Sequence, residues 1–341
     1  MNAPDNVVDG RTRLYGRFTT RPARVDPLAE FGPLARPLRR LRLKEWVGFT
    51  LVHPEWASSM IIQDAHYLAS SEIYVAHRTD GTRFEHAANA RGGSLRLPAG
   101  FYGREMSFDR PGYRIRYELD TPETEADARH VVRIDIDATA TAPAFTGELV
   151  LHHAGASAPL SVSSVLPGGR NRLYTHKALY PVSGSLRTGD REIVFDPRRD
   201  LAILDEHRSL LPYRTRWIWG TFAFPMPDGP VGANFADRPE VPGQEEESGI
   251  WAADGVEPLA DVTFTPTGDP ETTPWRITSA DGRLDATFTP QGRKHVVHQL
   301  GLFAIDYFQM FGRYDGTLRA GGRTYALKGV HGVCESMRAR L

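Results

Sequence analysis

Short runs in which apolar and polar residues alternate recur along the chain. In 114–119, Ile115, Tyr117 and Leu119 share one face and charged residues the other. In 132–139, Val132, Ile134, Ile136 and Ala138 oppose Arg133, Asp135, Asp137 and Thr139. Segments 146–153, 192–195, 262–265, 284–288 and 324–327 are patterned similarly, and glycines and prolines punctuate the intervals. Period-2 alternation between turn residues predicts antiparallel strands. Helical periods are scarce: 27–40 has room for a turn or two, and 295–309 fits either period. The chain reads as all-β with few short helices. So many strands predict barrels or sandwiches, because open sheets would leave unpaired edges.

A chain of 341 residues exceeds what one hydrophobic core comfortably serves. A repeat suggests how it divides. Gly184-Ser-Leu-Arg-Thr-Gly-Asp-Arg-Glu-Ile-Val-Phe195 aligns without gaps on Gly316-Thr-Leu-Arg-Ala-Gly-Gly-Arg-Thr-Tyr-Ala-Leu327, with five of twelve positions identical. Each copy is followed by an acidic residue in an apolar setting: Asp205-Glu206 after the first, Glu335 after the second. Two related β units are expected. The Gly/Ser/Pro-rich stretch 155–172 is the natural seam, giving an N-terminal extension (1–40), a first unit (41–165) and a second (173–341). Segment 225–258 reads as a long surface excursion.

Composition narrows the function classes. Balanced charge, 41 basic against 42 acidic residues, provides no general field for nucleic acid. Of the basic residues only Lys44, Lys177, Lys294 and Lys328 are lysines, a bias that reads as codon usage rather than mechanism. The single cysteine, Cys334, excludes an intramolecular disulfide framework and suits a reducing compartment. No apolar stretch is long enough for a signal-peptide core or a membrane span, so a cytoplasmic protein is expected. No nucleotide-binding glycine motif, serine-hydrolase elbow or ligand spacing for a metal occurs, and no cofactor is predicted.

The densest chemistry lies in 205–220. Asp205, Glu206 and His207 precede Tyr213, Trp217 and Trp219, and alternation puts these three aromatics on one strand face. If that face turns inward, two indoles would wall an apolar cavity. A carboxylate at its rim would be desolvated and raised in pKa, as a general acid requires. His176 and Tyr180 share a face upstream. Trp46 belongs to an N-terminal Trp/His/Glu grouping that reads mainly as core of the first unit.

The run from His176-Lys177 through Pro181-Val-Ser-Gly184, Gly189-Asp190-Arg191 and Leu204-Asp205-Glu206-His207 to Pro212-Tyr213-Arg214-Thr215-Arg216-Trp217 resembles a bacterial family, domain of unknown function 2804. Trp251-Ala-Ala-Asp254-Gly255, Pro274-Trp275-Arg276 and Gly332-Val-Cys-Glu335 extend the likeness to the C-terminus. Glu247-Ser248-Gly249 departs from the expected Glu-Asn-Ala. That family is distantly similar to lipocalin-like double-barrel proteins such as the hydroxyneurosporene synthase type of carotenoid hydratase. The resemblance implies two calycin-like antiparallel β-barrel units packed together, and a hydrophobic small-molecule ligand such as an isoprenoid, lipid or polyketide.

The expected activity is cofactor-independent hydration, isomerisation or cyclisation of an alkene. Asp205 or Glu206 would be the acid, and His176, His207 or Tyr180 its partner. Tyr213, Trp217, Trp219, Trp46 and Glu335 would contact the ligand. The alternative is a non-catalytic carrier using the same pocket.

Overall fold

The computed structural model describes residues 1–95, 97–120, 128–237 and 241–341. Before the main sheets come short strands β1 (Val8–Asp9), β2 (Thr12–Arg13) and β3 (Gly16–Phe18), a 3₁₀ turn at Pro27–Glu30 and helix α1 (Arg36–Arg40). Asp26 caps the 3₁₀ turn by accepting from the Leu28 amide at 3.1 Å.

The first unit contains β4 (Leu43–Val52), β5 (Trp56–Asp64), β6 (Leu68–His77), β7 (Arg83–Arg91), β8 (Arg104–Arg110), β9 (Tyr113–Leu119), β10 (Arg129–Ile136), β11 (Phe145–His152), β12 (Leu160–Val165), β13 (Arg172–Thr188), β14 (Arg191–Phe195) and β15 (Leu201–Leu210). The second contains β16 (Arg214–Phe224), β17 (Val231–Ala236), β18 (Gly249–Ala252), β19 (Gly255–Pro258), β20 (Val262–Pro266), β21 (Trp275–Ser279), β22 (Leu284–Leu300), β23 (Phe303–Ala320) and β24 (Arg323–Arg340).

The all-β expectation holds. The first sheet runs β7-β6-β5-β4-β15-β13-β11-β10-β9-β8 and curls into a nearly closed barrel; the second runs β19-β18-β17-β16-β24-β23-β22-β21-β20 and forms a half-barrel. Strand for strand the two orders coincide, with β4 matching β16, β14 and β15 together matching β24, β13 matching β23, and β11 and β12 together matching β22; β8 has no counterpart in the second. The change of sheet falls between Leu210 and Arg214. Residues 155–172 lie inside the first sheet, where β12 pairs the N-terminal half of β13. Low-complexity composition there reflects a loop between sheet neighbours, not a domain seam. The 225–258 excursion is likewise corrected: it contributes β17 and β18, whose residues are all buried. Its residues 238–240 lie outside the described residues. Segment 295–309 is extended in both β22 and β23.

The twelve-residue repeat forms the same hairpin twice, β13–β14 and β23–β24. Its glycines do matching work. Gly189 and Gly321 turn with φ of 62° and 58°, and Gly184 and Gly316 adopt φ of 104° and 145°. A Cβ at Gly184 would lie 2.1 Å from the Glu148 carbonyl oxygen, and one at Gly316 2.2 Å from that of Asp285. Both positions combine left-handed backbone with a carbonyl where a side chain would go, which only glycine tolerates.

The barrel interior is filled. Val47, Phe49, Phe108, Tyr117, Ile134, Leu149 and Leu204 belong to one contiguous core, and Phe222, Trp275, Phe288 and Tyr314 to a second core inside the half-barrel. The opposite faces of β4, β13 and β15 are also covered, because the second unit packs on them: Val52, Leu179 and Ile203 meet Ala223 and Trp251. A void left in this seam, beside Thr50, Tyr74, Phe311 and Val333, measures only about 10 Å³, at most one water.

Gly184→Ala and Gly316→Ala are each expected to destabilise the protein by on the order of 2–4 kcal/mol. Gly100→Ala, whose Cβ would meet nothing closer than 3.6 Å, should change little. Denaturant midpoints at constant slope check all three.

Candidate functional site

Residue parity on each strand decides which way its side chains face. On β15, Ala202 and Leu204 belong to the barrel core and Leu201 and Ile203 to the seam, so the chemistry in 205–208 splits between two places. Glu206 and Arg208 face inward. Asp205 and His207 face the second unit.

Glu206 lies fully buried in an arginine clamp. Arg21 donates Nε and Nη2 to its two oxygens at 2.7 and 2.8 Å, and Arg208 Nε adds 2.8 Å. Arg208 also reaches Glu45 at 3.1 Å. Desolvation alone would raise this carboxyl, but the two guanidiniums outweigh it and hold Glu206 at about 2. A carboxylate so held gives up no proton near neutrality, so Glu206 is not the acid that sequence allowed. The N-terminal extension supplies Arg21 and is therefore integral to the barrel.

His176 and Tyr180 also face inward, in the same interior and apart from Asp205. The Tyr102 hydroxyl meets His176 Nε2 at 3.2 Å, and His130 and His153 touch through their Nε2 atoms at 3.0 Å. Burial lowers His176 to about 3 and pushes the Tyr180 phenol well up. Both stay neutral at physiological pH. Tyr213 lies away from this interior, exposed at the surface, and its hydroxyl donates to the Leu302 carbonyl.

The second place is the seam. Trp217 and Trp219 do not line the half-barrel interior, as inward-facing residues would; they point out of it toward the first unit. There they meet Trp46, which faces out of the barrel. Trp46 stacks on His207 at 4.4 Å between ring centroids and on Trp217 at 6.3 Å. Trp46 Nε1 donates to Asp205 Oδ2 at 3.0 Å, and Trp217 Nε1 to Glu335 Oε1 at 2.9 Å. Lys177 closes on the other oxygen of Asp205, with its ammonium 5.0 Å over the Trp219 ring. His207 Nε2 lies 3.4 Å from Asp205 and 3.5 Å from Glu247. Trp219 Nε1 is fixed by Asn234 at 2.8 Å, and Asn234 in turn donates to the Glu247 carbonyl. In the departing Glu247-Ser248-Gly249 segment, Ser248 Oγ accepts from the Ala236 amide at 3.1 Å.

These contacts repeat an equivalence between the units. Lys177 stands as far ahead of Gly184 as Gln309 stands ahead of Gly316. In register, Lys177 pairs Asp205 and Gln309 pairs Glu335. Trp46 and Trp217 take matching positions on β4 and β16. The seam thus holds two Trp–carboxyl pairs, and the two tryptophans touch. Contact between equivalent residues is the mark of an isologous interface.

The two carboxyls meet different partners. Asp205 has the Lys177 ammonium, whereas Glu335 has the neutral Gln309 amide at 2.9 Å and the Tyr307 hydroxyl at 2.7 Å. Among the described residues no cation lies within ion-pair distance of Glu335. Burial raises the Glu335 pKa; hydrogen bonds from Trp217, Gln309 and Tyr307 oppose the rise, and the nearby Asp205 charge adds to it. The seam therefore places a carboxyl biased toward its protonated form beside an ion-paired carboxylate. Asp205, with 26% of its side chain exposed, and half-buried Trp46, Trp217 and Tyr307 give this end of the seam access to solvent.

Sequence reasoning named Asp205, His207, Trp46, Trp217, Trp219 and Glu335, and the fold brings all six together. It missed Lys177, Gln309, Tyr307 and Asn234 as site residues. Lys177 carried a signal: it is one of only four lysines, and on its strand it opposes Asp205.

The family described as Domain of unknown function (DUF2804) matches residues 14–341. Among solved structures, kievitone hydratase from Nectria haematococca is similar, at 10% identity over 87% of this chain and 88% of that one, with a TM-score of 0.45. No curated protein matches in sequence.

Two outcomes follow from the paired carboxyls. Because the folded pKa of Glu206 is depressed, its stabilisation is complete above the ordinary carboxylate range and is lost as pH falls toward about 2. Glu206→Gln should flatten that acid limb and, by leaving Arg21 without a carboxylate and Arg208 with Glu45 alone, cost roughly 3–5 kcal/mol at neutral pH, read from unfolding curves at several pH values. Gln309→Lys, which gives Glu335 the partner Asp205 has, should lower the Glu335 midpoint by about 1–3 units, followed by the carboxyl infrared band.

Proposed function

The chain belongs to the DUF2804 family, and from its seam we propose a cofactor-independent acid–base enzyme acting on an alkene in a hydrophobic small molecule. The observation that carries this reading is the Glu335 carboxyl: buried, raised in pKa, held by three neutral donors, and set beside indole faces and a second carboxylate. Glu335 would give its proton to one alkene carbon, leaving a cation on the other. The faces of Trp46 and Trp217 would stabilise that cation. Water adding to it would pass a proton to Asp205, with His207 alongside, and complete a hydration. Loss of a neighbouring C–H proton to Asp205 would give an isomer; attack by a second alkene of the same molecule would close a ring and move the cation, which would then lose a C–H proton to Asp205. In each case a proton returned to Glu335 closes the cycle.

The pairing of Asp205 with Lys177 suits this division of labour, because one carboxyl has an ammonium partner while the other is held by neutral donors. The filled barrel interior argues against a ligand inside the barrel, which would have to displace Phe108, Tyr117 and their neighbours; a carrier would use the same seam and need no acid. At the solvent-reachable end of the seam a ligand would meet the half-buried Trp46, Trp217 and Tyr307.

Mass spectrometry of apolar molecules co-purifying with the protein would identify the class. Incubation of isoprenoid and polyene alkenes in D₂O then tests the chemistry. Wild type is expected to place deuterium on a former alkene carbon. Glu335→Gln should slow this by about 10²–10⁴-fold, while Trp217 fluorescence still reports binding. Deuterium incorporation unchanged in both Glu335→Gln and Asp205→Asn would sink the proposal.

A further inference from the structure

The opposite face of the same strands carries an unrelated feature. Antiparallel register sets Arg214 against Arg340 and Arg216 against Arg338. Directly paired residues share a face, as do residues two apart on one strand, so the four guanidiniums form one block at the open end of the half-barrel. Like charges in such positions repel. Among the described residues none of the four has a carboxylate within ion-pair distance. Asp306 is paired across from Arg338 on β23, but its carboxylate contacts His295 at 3.2 Å. Arg214, Arg216 and Arg338 are exposed.

The block adjoins an apolar tip. Arg340 donates to the carbonyl of Gly301 at 3.4 Å, in the turn joining β22 to β23. Beside that glycine, Leu302 is 75% exposed, Phe303 43% and Val297 58%. The tip is braced rather than loose: Phe303 packs on Tyr67 at 4.8 Å, and the Tyr213 hydroxyl holds the Leu302 carbonyl. Tyr67 also lies under the Lys44 ammonium, which donates to the Leu41 carbonyl at 2.7 Å. That leads directly to α1, where exposed Leu38 and Leu41 are interleaved with exposed Arg36, Arg39 and Arg40.

We propose that this end of the molecule docks on an anionic phospholipid surface, with Leu302 and Phe303 entering the interface and the Arg214/Arg216/Arg338/Arg340 block meeting the headgroup phosphates. Charge complementarity selects the occupant. Guanidiniums bind phosphate through paired N–H donors, and apolar side chains flanked by basic ones are the pattern of an interfacial anchor. A soluble phosphate compound would use the arginines but leave the leucine and phenylalanine unexplained. No helix among the described residues is long and apolar enough to cross a membrane, and docking needs none. Leu341, whose amide donates to the Tyr213 carbonyl, packs on the Leu166, Leu173 and Leu211 cluster that Trp46 and Trp217 also cover. The surface therefore adjoins the seam through which the proposed apolar substrate would arrive, although the docking stands independently of that chemistry.

Co-sedimentation of the full chain with vesicles of phosphatidylcholine, alone or mixed with phosphatidylglycerol, tests this. Binding is expected to the mixed vesicles only, and to weaken as salt rises. Arg214→Glu with Arg338→Glu should reduce it about tenfold or more, and Leu302→Ser should also reduce it. Both sites are exposed, so thermal midpoints should hold. Three results would overturn the proposal: no binding to mixed vesicles, equal binding to both kinds, or binding indifferent to the arginine variants. Loss of vesicle binding on adding millimolar inorganic diphosphate, with a rise in thermal midpoint when diphosphate is added alone, would instead assign the block to a soluble phosphate ligand.

Discussion

The structure depends on strands that are buried on both faces. β13 and β15 have a filled barrel on one side and the second unit on the other, and β15 is buried along its whole length except at Asp205. An ordinary antiparallel sheet exposes one face to water, where polar side chains cost nothing. Here every polar side chain on either face must find a protein partner. Glu206 finds Arg21 and Arg208 inside the barrel. Asp205, His207 and Lys177 find one another, Trp46 and Glu247 at the seam. Polar groups cluster there because the fold leaves them little solvent to turn to.

The same constraint explains what could be read in advance. The alternating segments that announced an all-β protein, 114–119, 132–139 and 192–195, are strands with one wet face, and their burial alternates accordingly. β4, β15 and the N-terminal half of β13 have no such alternation, so parity was visible but direction was not. Trp217 and Trp219 were correctly grouped on one face, yet that face looks out of its own unit. Nothing in a strand that is apolar on both sides says which side is inside. Gln309, Tyr307 and Asn234 join the site through register with strands distant in sequence, and as single polar residues in apolar runs they resemble many others. The repeat pointed to two units, but the loop-rich stretch at 155–172 drew the boundary too early.

The N-terminal segment changes status for a related reason. As sequence it is an Arg-, Pro- and Gly-containing extension without clear periodicity. In the fold, β3 pairs β12, Val7, Val25 and Phe18 pack on Tyr174, and Arg21 enters the barrel to hold Glu206. An isolated carboxylate at that depth would be expelled or protonated. The extension is thus a plug whose charge the barrel requires.

The exchange of lysine for glutamine between Lys177 and Gln309 gives the seam a direction. Two tryptophans related by the repeat would by themselves offer a molecule two interchangeable ends. With an ammonium beside one carboxyl and a neutral amide beside the other, the apolar molecule proposed for the seam would meet a different environment at each end. Under the proposed chemistry, head and tail of a nearly symmetric chain would then be distinguishable, and reaction at one terminus would be regioselective without any contact that measures length.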